Sequence, residues 1–355
     1  MTLRLGIASG DWLHPDKTGR EDPVWGGSGW ARLGQYADLL PFEVSVGTLV
    51  WFKDRFVIVD VYNDTYEVDI IYMQRLMHDG LRQHVPMARA SGQKIINDLD
   101  DWYWGLSTSN MAYRHNHPST NKMENTNFYK TILAKSDLVT VSTEYLADRI
   151  SSFVKCPIHV LHNTVDISKF SPYNHADTPI PEVGWIGSTL HRSNDIETVA
   201  GTVGAMAKTN KIKLFHGGHH EGAPTFASKL KVPEDLVRVE GLRTPDLYSE
   251  LMQMDIGIVP LNDTPFNMAK SDIKGLEYSA AGIPFVAQNL PAYEALTKTN
   301  KVGLVAKKPS DWIKHLTTLS NYKVRAEMGS MSRELIANRD LKYGLKNIIE
   351  VIESV

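Results

Sequence analysis

An α/β protein of two doubly wound, Rossmann-like domains facing a common cleft is the architecture this sequence predicts, and three observations predict it. The chain has 355 residues, more than one ordinary hydrophobic core accommodates. Short apolar runs alternate with helix-period segments along most of it, the pattern of parallel sheets covered by helices. That alternation lapses at Phe170–Pro181, where Pro172, Pro179 and Pro181 interrupt any periodicity and mark an interdomain linker. The expected division is an N-terminal domain over 1–170, a linker over 171–182, a second domain over 183–335, and a C-terminal helix over 336–355 that packs back toward the first domain.

In chain order, Leu3–Ala8 reads as the first strand and runs into the polar turn Ser9-Gly10-Asp11. Trp25-Gly-Gly-Ser-Gly-Trp30 follows as a glycine loop, with a helical pattern from Ala31 to Leu40. Strand, glycine loop and helix is the layout of an anion-binding turn. Gly26, Gly27 and Gly29 do not form G-x-G-x-x-G, however. A substrate-facing loop of Gly26, Gly27, Ser28 and Gly29, where a ligand approaches bare backbone, competes with a simple glycine hinge.

Strand patterns recur at Glu43–Leu49, Phe56–Val61 and Val68–Met73. Lys94–Asp101 is a short strand ending in carboxylates, followed by Trp102-Tyr103-Trp104. In parallel sheets the ligand lies beyond the carboxyl ends of the strands, which puts Asp98, Asp100 and Asp101 where substrate belongs. Three readings stand side by side: a divalent-metal pair without the further hard ligands it needs, acids that bind sugar hydroxyls or act as a general base, and turn or cap residues. Residues 105–127 are polar and irregular; His115 and His117 there read first as surface residues. Helix and strand patterns then alternate through 127–134, 137–143, 144–153 and 157–161.

The second half restarts at Val183–Gly187, with a helix expected over Asp195–Lys208 and strands at 213–215, 237–241 and 255–260. Pro245–Met254 and the segments from Pro309 to Val355 read as helical. Phe266–Ala287 holds a polar loop, a short helix capped by Ser271 or Asp272, an exit at Gly282 and a strand from Pro284. A helix extended back to Lys270 places Lys270, Lys274 and Glu277 on one face. That face offers two ammonium groups and a helix N-terminus to an anion such as a diphosphate, and a carboxylate to ribose hydroxyls. The plainer reading is a solvated helix with one Lys274–Glu277 pair.

Composition sets the outer limits. With 42% hydrophobic and 22% charged residues the chain reads as a soluble globular protein. A net charge of −3 gives no global basic field for nucleic acid. The single cysteine, Cys156, excludes an internal disulfide and a cysteine zinc cluster and fits a reducing compartment. No signal-peptide pattern opens the sequence and no apolar run approaches a membrane span, so a cytoplasmic location is expected.

These motifs resemble the GT-B nucleotide-sugar glycosyltransferases of the large group 1, or family 4, branch, over most of the chain. Lys270-Ser271-x-x-Lys274-x-x-Glu277-Tyr-x-Ala-x-Gly282-x-Pro284 is similar to their donor-site signature. The resemblance implies that Glu277 holds the nucleotide ribose and that Lys270, Ser271 and Lys274 meet the diphosphate. Gly184-Trp-Ile-Gly187-Ser188-x-x-His191-Arg192 resembles the first C-domain loop, implying that Gly187, Ser188, His191 and Arg192 serve the same phosphates. Gly217, Gly218, Leu242 and Arg243 are then expected around the nucleobase. Asn163-x-Val165-Asp166 is similar to the end of the family's N-terminal domain, and Asp98–Asp101 to a D-x-D-D of one sub-branch. Asp22–Tyr36 resembles phage-encoded members.

The sequence also departs from that pattern. The family's paired acids would require a second carboxylate at Ala269, where none stands, and its usual Gly-x-x-x-Lys is replaced around His191-Arg192. The resemblance implies a retaining, metal-independent enzyme with no cofactor and a UDP-sugar ahead of a GDP-sugar as co-substrate. Asp100 and Asp101 are the candidate catalytic carboxylates. The acceptor is expected to be a glycan, or a hydroxymethylated DNA base if the protein is phage-encoded and works in a host cytoplasm. DNA would call on a basic groove built from Lys53, Arg55, Arg82, Arg89 and Arg114. Two other functions remain on the same architecture: a non-catalytic sugar- or nucleotide-binding protein, and a nucleotide-sugar 2-epimerase.

Overall fold

The computed structural model describes residues 2–190 and 194–355, and two six-stranded parallel sheets organise it. The first holds β1 (Arg4–Ser9), β2 (Glu43–Val46), β3 (Ile70–Gln74), β4 (Lys94–Leu99), β5 (Leu138–Val141) and β6 (Ile158–Val160), in the spatial order β6-β5-β4-β3-β1-β2. The second holds β7 (Glu182–Ile186), β8 (Lys213–His219), β9 (Val237–Gly241), β10 (Ile256–Val259), β11 (Phe285–Gln288) and β12 (Gly303–Ala306), in the order β9-β8-β7-β10-β11-β12. Every pairing within both sheets is parallel, such as Leu5 with Ile70 and Val183 with Leu214.

The inner strands read as near-continuous apolar runs because they are covered on both faces. Ile70–Gln74 is buried at every position, and so is Ile256–Val259. The second sheet sits between two apolar clusters, one around Tyr278, Phe285 and Leu296, the other around Trp185, Phe226 and Trp312. The last helix, Leu341–Glu353, places Ile348, Val351 and Ile352 in the cluster of Leu5, Ile7 and Leu33. Its entry is clipped to the end of the first domain. Val165 N–H donates to the Arg339 carbonyl at 3.1 Å, and Leu341 N–H donates to the Val165 carbonyl at 2.9 Å.

Several local expectations are corrected. Glu43–Leu49 is two strands, of which Thr48–Phe52 leaves the sheet to pair antiparallel with Arg55–Val59, itself paired with Thr65–Glu67. β-branched alternation marks a strand without naming its partner. Gly27–Arg32 is helical and Gly34–Leu39 continues as 3-10 turns, so the glycines open a helix instead of forming a loop before it. Residues expected as one helix over 195–208 form 3-10, π and α turns in succession. Met111–Asn116 is a helix inside the segment expected to be irregular.

The linker is fixed to the second domain by a buried charge cluster. Asp255 Oδ1 lies 3.4 Å from Arg325 Nε and 3.6 Å from His175 Nδ1, and Asp255 Oδ2 accepts from Glu182 N–H at 2.9 Å. His175 Nε2 donates to the Gly282 carbonyl at 2.9 Å. Gly282 itself has φ +72°, a conformation that only glycine adopts without strain, and it ends the helix ahead of β11.

Candidate functional site

Each sheet reverses its strand order at one point, and both points open on the same cleft. In the first sheet the reversal lies between β1 and β3, whose continuations are Gly10-Asp11 and Arg75. In the second it lies between β7 and β10, continued by Gly187-Ser188 and Pro260-Leu261. All of these residues line one cavity of about 970 Å³. Helices diverge from a sheet at such a point and leave a crevice at the carboxyl ends of its strands, where ligands bind.

On the first wall the organising residue is Arg75. Its backbone is left-handed, with φ +57°, and its carbonyl passes so close to Gly10 that a Cβ there would sit 2.6 Å from the oxygen. The guanidinium donates to Asp100 at 2.7 and 3.0 Å, to Asp11 at 2.8 Å, to Asp101 at 3.1 Å and to Ser28 Oγ at 2.9 Å. Burial alone would push the Asp100 carboxyl up, but Arg75 holds it below the usual range. Asp101 is pushed the other way. Burial and then the charge of Asp100 raise it, against the opposing pull of Lys270 and Arg75. The pair therefore divides into a carboxylate locked by a guanidinium and a carboxyl poised nearer its ionisation.

Asp98 faces away from this wall. It is buried and paired with Arg32 at 2.7 Å, and it accepts from Thr140 Oγ1 at 2.7 Å. Arg32 also donates to Asn163 Oδ1 at 2.8 Å, and Asn163 Nδ2 reaches Ser271 Oγ at 2.7 Å. The chain Asp98–Arg32–Asn163–Ser271 thus runs from the first sheet to the loop ahead of helix Ile273–Ala280. Gly26, Gly27 and Ser28 line the cleft, whereas Gly29 lies beneath it with its N–H on Asp11 Oδ2 at 3.0 Å.

On the second wall, Gly187, Ser188, Lys270, Ser271, Lys274 and Glu277 all line the cleft. Helix Ile273–Ala280 starts after Asp272, one of the two expected cap positions, and does not extend back to Lys270, which lies ahead of it and reaches Asp101 at 3.2 Å. Neither expected cap is used. Ser271 Oγ is taken by Asn163, and the Asp272 carboxylate is held by Arg339 at 2.8 and 2.9 Å. The helix N-terminus thus has no side-chain cap, which leaves first-turn amides free for an anion. Lys274 Nζ lies 2.8 Å from Glu277 Oε2 in a largely shielded pair. Ala269 is fully buried in a cluster with Leu99, Tyr103 and Tyr129 of the first domain, so its position offers no side chain to the cleft.

Gly187 is held from behind. Its N–H donates to the Gly217 carbonyl at 2.8 Å, and its own carbonyl accepts from His216 Nε2 at 3.0 Å. Burial keeps the His216 ring below its usual pKa, against the effect of that hydrogen bond. Gly217 and Gly218 therefore support the loop from below and do not line the cleft. Leu242 is exposed outside it and Arg243 pairs with Glu250 at 3.3 Å. The wall expected from these four is made by Pro245, Asp246, Tyr248 and Ser249. His191 and Arg192 lie outside the described residues.

The basic residues expected to form a groove do not converge. Arg82 pairs with Asp79 at 2.9 Å, Arg89 with Asp137 at 2.8 Å, and Arg55 lies within 4.0 Å of Asp54 and 3.9 Å of Glu67. None of Lys53, Arg55, Arg82, Arg89 and Arg114 lines the cleft. His117 stacks on Tyr113 and bonds Ser119 Oγ, away from the carboxylates. Among the described residues no cluster of His, Cys, Asp and Glu is placed to hold a metal ion, and no helix is long and apolar enough to cross a membrane.

No protein-family model matches the chain. Among curated proteins it is 27% identical over 179 residues to the putative teichuronic acid biosynthesis glycosyltransferase TuaH of Bacillus subtilis (strain 168), covering 47% of this chain and 44% of that protein. The match thus spans less than half of the relative's length. Solved structures align over nearly the whole chain. Sucrose-phosphate synthase from Thermosynechococcus elongatus superposes with a TM-score of 0.65 at 14% identity, covering 99% of this chain and 98% of that one. Anabaena HepE in complex with UDP gives 0.63 at 13% identity, covering 99% and 100%. HepE in complex with UDP-glucose gives 0.63 at 12% identity, with both chains fully covered. Two parallel-sheet domains facing one cleft, shared with these structures, make the fold GT-B.

Proposed function

We propose that this GT-B protein is a glycosyltransferase that moves a sugar from a UDP-sugar to an acceptor hydroxyl. The observation that carries the proposal is the helix Ile273–Ala280. Its uncapped N-terminus, Lys274 and Glu277, together with Lys270 ahead of it, face a cleft that both sheets' switch points share. Similarity to a glycosyltransferase sequence and to structures that hold UDP and UDP-glucose supports the same reading.

In the proposed reaction the bond between the sugar's anomeric carbon and the diphosphate oxygen breaks, and a bond to the acceptor oxygen forms. Negative charge collects on the departing UDP. Lys270, Lys274 and the amides at Ser188 and Ile273 receive it, so that diphosphate departure calls on no metal ion. Glu277 takes the ribose hydroxyls, and the Pro245–Ser249 segment borders the base. Asp101 accepts the hydrogen bond of the attacking hydroxyl and takes its proton, while Asp100, fixed by Arg75, holds the site's shape. Retention of anomeric configuration is assigned on the family resemblance.

Calorimetry with UDP and UDP-glucose, followed by incubation with an acceptor panel, tests the proposal. UDP released only when acceptor is added identifies a transferase. Isomerised sugar without acceptor identifies an epimerase, and binding without turnover identifies a binding protein. Unchanged UDP affinity in both Lys270→Ala and Glu277→Ala would sink the site assignment.

A further inference from the structure

A second, smaller cavity of about 180 Å³ adjoins the carboxylate wall, lined by Tyr103, Trp104, Tyr113, His117, Pro118 and Thr126 among others. It shares Tyr103 with the main cleft. The helix Met111–Asn116 separates the two. Ala112 and Asn116, four residues apart, face the cleft, while Tyr113 and His117 face the smaller cavity. Tyr113 and His117 stack with ring centroids 4.3 Å apart, and Trp104 stacks on Tyr129. The indole N–H of Trp104 is buried without a hydrogen-bond partner.

Aromatic faces carry negative charge density and attract the weakly positive C–H bonds of a sugar ring, while its hydroxyls seek donors and carboxylates. The neighbouring wall sets the charge of the acceptor. It presents Asp11, Asp38, Asp100 and Asp101 against the guanidiniums of Arg32 and Arg75, both of which are already paired. Such a surface repels a polyanion and accepts a neutral polyol.

Resting on the transferase reading above, we propose that the acceptor is an uncharged saccharide of at least two rings. Its reacting hydroxyl lies at Asp101, and its next ring occupies the cavity of Tyr103, Trp104, Tyr113 and His117.

Saturation-transfer NMR in the presence of UDP tests this. The probes are methyl glycosides of glucose, galactose and N-acetylglucosamine, the matching disaccharides, and a hydroxymethylcytosine DNA duplex. At least one disaccharide should bind tenfold or more tightly than its methyl glycoside. Tyr113→Ala should erase that difference, Tyr113→Phe should keep it, and unchanged UDP affinity in both variants reports an intact fold. The inference is overturned if no disaccharide outbinds its single sugar, if Tyr113→Ala leaves the difference in place, or if the duplex displaces the saccharide. Loss of UDP binding in the unmodified protein would instead remove the transferase reading, with the saccharide measurements standing apart from it.

Discussion

Lys270 Nζ lies 3.2 Å from Asp101 Oδ1, so an ammonium in the turn ahead of the second domain's helix closes on a carboxylate of the first domain. Both groups face the cleft, and each is needed elsewhere in the proposed reaction. A diphosphate competes with Asp101 for Lys270, and its arrival frees the carboxylate for an acceptor hydroxyl. Lys270→Ala should therefore weaken UDP binding and lower kcat by about 10²–10³-fold, the usual loss when one donor to developing charge is removed. The same variant should bind acceptor without prior UDP, because the competing ammonium is gone. Calorimetry with acceptor alone checks the second outcome.

Lys274 and Glu277 form a pair 2.8 Å apart, yet their proposed ligands differ. Glu277→Ala should weaken UDP about tenfold or more while leaving inorganic pyrophosphate unaffected, because ribose supplies the hydroxyls that the carboxylate accepts. Lys274→Ala should weaken both. If each substitution reduced both ligands equally, the pair would be acting only as a support for the helix.

Restoring an acid at position 269 is the obvious attempt to complete the family's pattern, and the structure predicts that it fails. Ala269 is fully buried against Leu99, Tyr103 and Tyr129. Ala269→Glu would bring an unpaired charge and extra volume into that cluster, at a cost of about 3–5 kcal/mol. Differential scanning should show the melting temperature falling by roughly 10 °C, with no gain in donor affinity.

That position also shows where the sequence stopped being legible. An alanine stands at 269 for any reader, but only the packing shows that its side chain points into the other domain. The helix over 273–280, its glycine exit and the strand after it were readable because period and a left-handed glycine are local. Arg75 was missed because nothing near it in sequence marks it. Its role comes from a left-handed backbone and from partners at Asp11, Asp100 and Asp101. Gly217 and Gly218 stand just past the strand expected over 213–215; they extend it, and nothing in the sequence marks them as the support beneath Gly187. Phe56–Val61 was readable as a strand, but its antiparallel pairing with Thr48–Phe52 was not.

The acidic limb of activity should follow Asp101. Burial, with Asp100 beside it, raises this carboxyl above the ordinary range, and only the ionised form accepts the hydroxyl proton. kcat/KM should therefore fall as pH drops through that raised value, at a less acidic pH than an unperturbed carboxylate would give. Lys270 opposes the rise, so Lys270→Met should move the limb to still higher pH, the opposite of what loss of a general base predicts. Asp101→Asn should abolish the limb along with most of the rate. Stability runs in the other sense. A raised carboxyl pKa favours the folded protein while protonated, and that contribution is lost as pH rises through the folded value. Asp101→Asn at pH 8 should accordingly melt no lower than the unmodified protein. A lower melting point would assign Asp101 to holding the two domains together through Lys270, not to receiving a proton.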